Sequence, residues 1–310
     1  MPYLFLVATG IALTVMSLLR KEYDRRTQGL SMASYVFIGI TYTAILLASF
    51  VYFLASGSLG GFAEVDALTL LLAVGFALAT FITTVICIVG ASYGSVSIIV
   101  VFANLGTVTL STVYGLLFDA ERNKPTVFTW IGLLLVLAII LMNFLGEKKT
   151  AQAVGTPGKK RIYKLLCFFV FFTNGIALVI YSMLTTHRPG FGYWHFISLY
   201  SALCVVFALV CVLFVLFRQR GKQTKERVSA SLSRVTLLLI VLYAVFFLLG
   251  ELMSLANTTM LPIIIHAPLS FAVPVIILTV SECLIYRVRL TRDAVIKMIL
   301  ALAGSVLTVL

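Results

Sequence analysis

Charged residues are scarce in this chain. Asp, Glu, Lys and Arg make up 11% of its 310 residues, whereas 61% are hydrophobic and the mean hydropathy is +1.12. Soluble domains carry about 25% charged residues, which they need to cover their surface. The scarcity of charge therefore excludes an ordinary soluble protein and indicates a membrane protein.

Motifs for metal, phosphate and covalent chemistry are also missing. The 5 cysteines all fall inside apolar stretches, without the spacing of a disulfide framework or a zinc site. No Asp-rich motif and no glycine-rich phosphate loop occurs. We therefore predict no metal, no cofactor and no enzymatic activity, with an integral membrane enzyme acting on lipids kept as an alternative.

What the sequence does contain is ten apolar stretches of membrane-spanning length. A helix needs about 20 apolar residues to cross a bilayer, where its backbone groups must be hydrogen-bonded internally. The predicted spans are Pro2–Leu19, Ala33–Leu54, Ala67–Val89, Ser92–Leu117, Val127–Leu145, Leu165–Met183, Trp194–Phe217, Val235–Leu255, Met260–Ile285 and Ala294–Leu310. They predict an all-α polytopic membrane protein with ten transmembrane helices.

The basic residues are distributed unevenly over the loops between these spans. Of the 23 Lys and Arg residues, 20 fall in odd-numbered loops and 3 in even-numbered ones. Basic loops stay in the cytoplasm, so we expect the odd loops there and both termini outside, in a plasma or inner membrane. This distribution explains the net charge of +12 without a nucleic-acid partner. Binding of anionic lipids in the bilayer is the alternative role for the same loops.

The first half of the chain recurs in the second half after a shift of 165 residues. The run ATGIAL at 8–13 corresponds to TNGIAL at 173–178, and the same shift pairs Tyr35 with Tyr200. Five spans per half is an odd number, so the second copy enters the membrane in the opposite orientation. We predict two inverted five-helix repeats, residues 1–147 and 162–310, joined by a basic linker over 148–161.

One region of each half resembles a known family. From Gly90 the chain reads GASYGSVSIIVVFANLGTVTLSTVYGLLFDAERNKPTVFTWIG, with Glu121-Arg122 near a helix end and Gly132 opening the next helix. In the second half, Pro274 is followed by Arg289-Leu290-Thr291 and Gly304, with Val288 where a Glu is expected. The pattern resembles the EamA-like branch of the drug/metabolite transporter superfamily.

This resemblance implies a fold and a function. It implies two inverted five-helix repeats around a central cavity lined mainly by spans 1, 3, 4, 6, 8 and 9, and transport of small metabolites or drug-like solutes. Members of the family usually keep their termini in the cytoplasm, which is the opposite of the orientation that the charge count predicts.

Polar residues inside the spans are the candidate binding residues, because each needs a partner or a wet cavity. In the fourth span, Ser97, Asn104 and Thr107 lie on one helical face together with Ser111 and Tyr114. This stripe predicts either a solute-binding surface or hydrogen bonds between helices.

Further candidates come from the other spans. Thr9 and Asn174 are repeat mates, each followed by glycine, and we expect both to line a cavity or to serve helix packing. Tyr243 could supply an aromatic wall. His266 and Ser270 lie among three prolines, which free backbone carbonyls, so they could bind solute, or the histidine could be a neutral structural residue.

Two of the polar residues could couple transport to protons. Glu251 is a carboxylate near the outer end of the eighth span, where it could carry a proton or reach solvent. His266 could change charge near neutral pH. Together these observations predict a secondary transporter that moves a small organic solute by alternating access. A lipid flippase or a channel on the same bundle is the alternative.

Overall fold

The computed structural model describes residues 2–27, 31–94, 96–118, 126–145, 157–187, 192–218, 232–261 and 292–309, with 277, 280, 281, 284 and 285. Within these ranges the regular elements are helices, and no strand occurs. The α-helices are α1 (Pro2–Thr27), α2 (Ser31–Ser56), α3 (Ala67–Ala91), α4 (Val96–Phe118), α5 (Val127–Leu145), α6 (Pro157–His187), α7 (Tyr193–Arg218), α8 (Arg234–Met260) and α9 (Arg292–Val309). A 3₁₀ helix, Ser58–Glu64, joins α2 to α3.

Six of the described helices are long and apolar enough to cross a membrane. They are α2, α3, α4, α6, α7 and α8, and each contains a stretch of at least 21 residues that qualifies. The all-α architecture and the presence of several apolar helices are thus confirmed for the described residues. Helix α9 coincides with the tenth predicted span, and most of the ninth lies outside the described residues.

Several helices extend beyond the predicted spans, and local chemistry explains why. Helix α1 continues past Leu19 to Thr27, where Glu22 pairs with Arg25 at 2.9 Å and Arg26 at 2.7 Å. Helix α6 begins at Pro157, a residue favoured in the first helical turn. The linker expected over 148–161 is therefore too long at its C-terminal side, since 157–161 belong to α6.

The helices pack in a regular set of pairs. Helix α1 packs on α8 and α3 on α6, α2 packs on α7, and α5 packs on α9. Helix α4 packs on α6, α3 also meets α7, and α2 also meets α8. Buried aromatic rings fill the junction of α2, α3, α7 and α8, with ring centroids 4.6 Å apart for Phe76 and Tyr200 and 5.5 Å apart for Tyr42 and Phe247.

Helices α4 and α6 approach each other closely enough for their backbones to touch. A Cβ atom on Gly106 would overlap the backbone carbonyl of Phe171, and one on Gly175 would overlap the carbonyl oxygen of Gly106. Glycine is therefore required at both positions, because only a missing side chain lets the two backbones touch. This crossing places Asn174, the neighbour of Gly175, directly against α4.

Candidate functional site

A cavity of about 180 Å³ lies between α1, α3, α4, α6 and α8. Its lining is partly apolar, with Leu13, Met16, Phe76 and Phe247 among the contributors. The remaining lining includes hydroxyl, amide and charged groups from well inside the helices. They include Thr9, Ser17, Arg20, Thr80, Thr83, Thr84, Asn104, Thr107, Asn174, Tyr181, Glu251 and Ser254. A polar cavity in an apolar bundle can hold a solute that carries hydrogen-bonding groups.

The wall from α4 and α6 is held by an amide network. Asn174 Nδ2 donates to the Ala103 carbonyl at 3.1 Å and to Thr107 Oγ1 at 2.7 Å. The Thr107 hydroxyl in turn donates to the Ala103 carbonyl at 3.1 Å. Asn104 lies on the same wall. Asn104 and Thr107 of the polar stripe thus line the cavity, and Thr107 also accepts a hydrogen bond from the neighbouring helix.

The wall from α1 begins at Thr9, whose hydroxyl donates to the Phe5 carbonyl at 2.8 Å within the helix. Thr9 is buried and lines the cavity. Asn174, its counterpart in the predicted repeat, also lines the cavity. Both hydroxyl and amide keep acceptor capacity for a solute.

Arg20 supplies a positive charge to this cavity. Its guanidinium donates a hydrogen bond to the Tyr243 hydroxyl and lies 4.9 Å from the centroid of the Tyr243 ring. Its Nε is buried and has no hydrogen-bond partner in the described part of the protein. We expected Arg20 in the first cytoplasmic loop, but it belongs to α1 and lines the cavity.

Glu251 contributes a carboxyl group from α8. The Tyr181 hydroxyl donates a hydrogen bond to its Oε2, and the Tyr181 ring stacks on Phe76 at 4.4 Å. Helix α8 continues to Met260, so Glu251 does not lie near a helix end as expected. Its side chain is among those that line the cavity.

The remaining residues that the sequence predicted for the site do not line the cavity or lie outside the described residues. Tyr243 is buried behind the cavity, where it holds Arg20, and it is outside the cavity lining. His266 and Ser270 lie outside the described residues, as does the side chain of Ser97. No group of three or more His, Cys, Asp or Glu that could hold a metal ion occurs among the described residues.

Sequence reasoning missed Arg20 and the three threonines of α3 that line the cavity, Thr80, Thr83 and Thr84. A signal for Arg20 was present, because it follows Thr9 by 11 residues, which is about three helical turns. The same helical face carries Leu13, Met16 and Arg20. Treating every basic residue as part of a loop concealed this periodicity.

No family model matches the chain, and no curated protein matches it. Among solved structures, 24 chains match. One, titled only "Crystal structure of protein", covers 96% of this chain and 95% of its own at 13% identity and a TM-score of 0.52. At this identity the similarity shows a shared fold and nothing about activity.

Proposed function

We propose that this protein is a secondary transporter that moves a small organic solute by alternating access. The observation that carries the proposal is the central cavity, to which α1, α3 and α4 of the first half and α6 and α8 of the second half contribute. A cavity between two halves can open to either side of a membrane when the halves rock against each other. The proposal includes ten transmembrane helices and membership in the drug/metabolite transporter superfamily.

The helix pairing supports an architecture of two inverted repeats. In this architecture α1, α2 and α3 correspond to α6, α7 and α8, and α5 corresponds to α9. Exchanging the two halves then converts the α1–α8 pair into the α6–α3 pair. The same exchange converts the α3–α7 pair into the α8–α2 pair, and it leaves the α2–α7 and α5–α9 pairs unchanged. All these pairs occur. A twofold relation between the halves predicts this pattern, and the alternation of basic loops favours an axis in the membrane plane.

A transport assay that does not need a known substrate tests this function. Vesicles containing the purified protein are loaded with a defined mixture of small metabolites, and the contents are followed by mass spectrometry. We expect one or a few solutes to leave saturably. The same retention as in protein-free vesicles would contradict the proposal. Movement of a labelled lipid between leaflets without solute flux would favour the flippase.

Proton coupling is a separate part of the proposal. Glu251 and His266 are the residues proposed to carry the proton. In the Glu251→Gln, His266→Ala double variant, a pH gradient should no longer drive flux. If the gradient drives flux equally well in the variant, the coupling residues are wrong although the transporter assignment stands.

A further inference from the structure

The cavity contains a guanidinium and a carboxyl group that do not pair with each other. Arg20 hydrogen-bonds to the neutral hydroxyl of Tyr243, and Glu251 accepts from the neutral hydroxyl of Tyr181. The ion pairs seen in the described residues join Glu22 to Arg25 and Arg26 on α1, and neither cavity charge takes part in one. An isolated charge away from bulk water is costly, so each has capacity for a charged partner.

The two charges lie at different levels of the cavity. Tyr243, which holds Arg20, precedes Glu251 by eight residues on α8, or about 12 Å at the rise of an α-helix. Phe247 and Gly250 line the cavity between these levels, and Leu13 and Met16 face it from α1. The space therefore has a guanidinium at one level and a carboxyl group at another, with apolar side chains of α1 and α8 between them.

Resting on the proposed function, we propose that the solute is a zwitterion whose anionic group binds Arg20 and whose ammonium group, several bonds away, binds Glu251. A guanidinium fork matches a carboxylate in a bidentate geometry. Each ion pair would take up about 3 Å between its heavy atoms, which leaves about 6 Å between the charged groups of the solute. An α-amino acid, whose charges flank one carbon, is too short to reach both.

The size of the cavity sets the size of the solute. An engineered apolar cavity of about 150 Å³ in another protein holds benzene, with six carbon atoms. The 180 Å³ here therefore suits a solute somewhat larger than benzene. An ω-amino acid with a short methylene chain has this size and this charge separation, and its methylenes would pack against Phe247 and Leu13.

Four related compounds test this assignment by calorimetry on the purified full-length protein. They are 5-aminopentanoate, its isomer norvaline, and the singly charged analogues pentanoate and pentylamine. We expect 5-aminopentanoate to bind at least about ten-fold more tightly than the other three, since a charged pair contributes about 1.4 kcal/mol or more.

Variants assign each charge to its partner. In Arg20→Gln, 5-aminopentanoate and pentylamine should bind with equal affinity, because the carboxylate has lost its partner. In Glu251→Gln, 5-aminopentanoate and pentanoate should become equal. Arg26→Gln, which neutralises an exposed guanidinium on the same helix, is the matched control and should leave the wild-type ranking unchanged.

Three results on the wild-type protein would overturn the assignment. They are binding of norvaline as tight as that of 5-aminopentanoate, equal binding of a singly charged analogue, and binding of none of the four compounds. These comparisons need no variant, so a misfolded variant does not affect them. If one of these results accompanies saturable flux of other metabolites, the zwitterion assignment fails and the transporter proposal stands.

Discussion

Two charged residues on α1, the half-buried Arg20 and the buried Asp24, differ in how their removal from water is compensated. Arg20 has the hydroxyl and ring face of Tyr243 beside it. Asp24, one turn further on and beyond the predicted first span, is 8% exposed, and its Oδ1 has no hydrogen-bond partner among the described residues. Burial raises the pKa of Asp24 to about 6. Ionised Asp24 thus destabilises the fold, whereas Arg20 has a hydrogen-bond partner and lines the cavity.

The raised pKa of Asp24 predicts a pH-dependent gain of stability in Asp24→Asn. The unfolded chain has an Asp pKa of about 3.9 and the folded chain one of about 6, so the folded state holds this proton more tightly. The contribution of Asp24 to stability is fully present below about pH 4 and is lost as the pH rises through about 6. Thermal melts in detergent should give equal stability for both proteins at pH 4 and a more stable variant at pH 7.

Glu22→Gln is the matched control for this comparison. Burial works against ionisation of Glu22, but hydrogen bonds from Arg25 and Arg26 outweigh it and lower the pKa of this carboxyl. Its neutralisation should therefore reduce stability at pH 7, the opposite sign from Asp24→Asn. The Tm difference between Asp24→Asn and wild type should depend on pH. If this difference is the same at pH 4 and pH 7, the burial of Asp24 does not determine the effect of the substitution on stability.

At the scale of elements, hydropathy located the helices well and their ends poorly. Spans such as α3 and α5 were predicted almost to the residue, because an apolar run must be helical in a bilayer. Helices α1 and α6 continue into polar sequence, where ion pairs and a terminal proline, not apolar character, support the helix. Hydropathy does not detect these ion pairs or the terminal proline, so it places the helix ends too early or too late.

The candidate site could be predicted only in part, for a related reason. Thr9, Asn104, Thr107 and Asn174 stood out as polar residues in apolar runs, and the structure places them on one cavity. Arg20 looked like a loop residue, and its place in the cavity follows from the packing of α1 on α8. The only sign of this tertiary contact in the sequence is the helical spacing of Arg20 from the other cavity-lining residues of α1.

The α4–α6 crossing gives a prediction at the element scale. Gly106→Ala or Gly175→Ala would force the two backbones apart, since the new Cβ would overlap a carbonyl group. Overpacking of this kind costs about 1 to 3 kcal/mol and sometimes more, so we expect a lower Tm and a loss of folded protein in size-exclusion chromatography.

Gly39→Ala on α2 is the control for this substitution. Its Cβ would lie 3.5 Å from the nearest atom, the Cβ of Ala208, which is an ordinary contact. Alanine is also the better helix former by about 1 kcal/mol, so this variant should be as stable as wild type or slightly more so. Equal Tm values for Gly39→Ala and Gly106→Ala would contradict the close backbone contact.

At the scale of the whole molecule, the halves share one cavity but contribute unlike groups to it. In the predicted repeat Thr9 would correspond to Asn174, Arg20 to Thr185 and Glu251 to Ile86. The proposed twofold relation would place equivalent helices around the cavity. Arg20 and Glu251 depart from this symmetry, because neither has a charged counterpart in the other half. An asymmetric site between symmetric halves would bind a polar solute in one orientation while the bundle alternates between two similar states.

The most direct test of alternating access uses a cysteine that the protein already has. Cys87 lines the cavity, and Cys167 is fully buried between α4 and α6 outside it. Two single-cysteine proteins, one with Cys87 only and one with Cys167 only, are exposed in sealed vesicles to a membrane-impermeant sulfonated thiosulfonate from either face. We expect Cys87 to react from both faces and Cys167 from neither. Reaction of Cys87 from one face only would contradict the account.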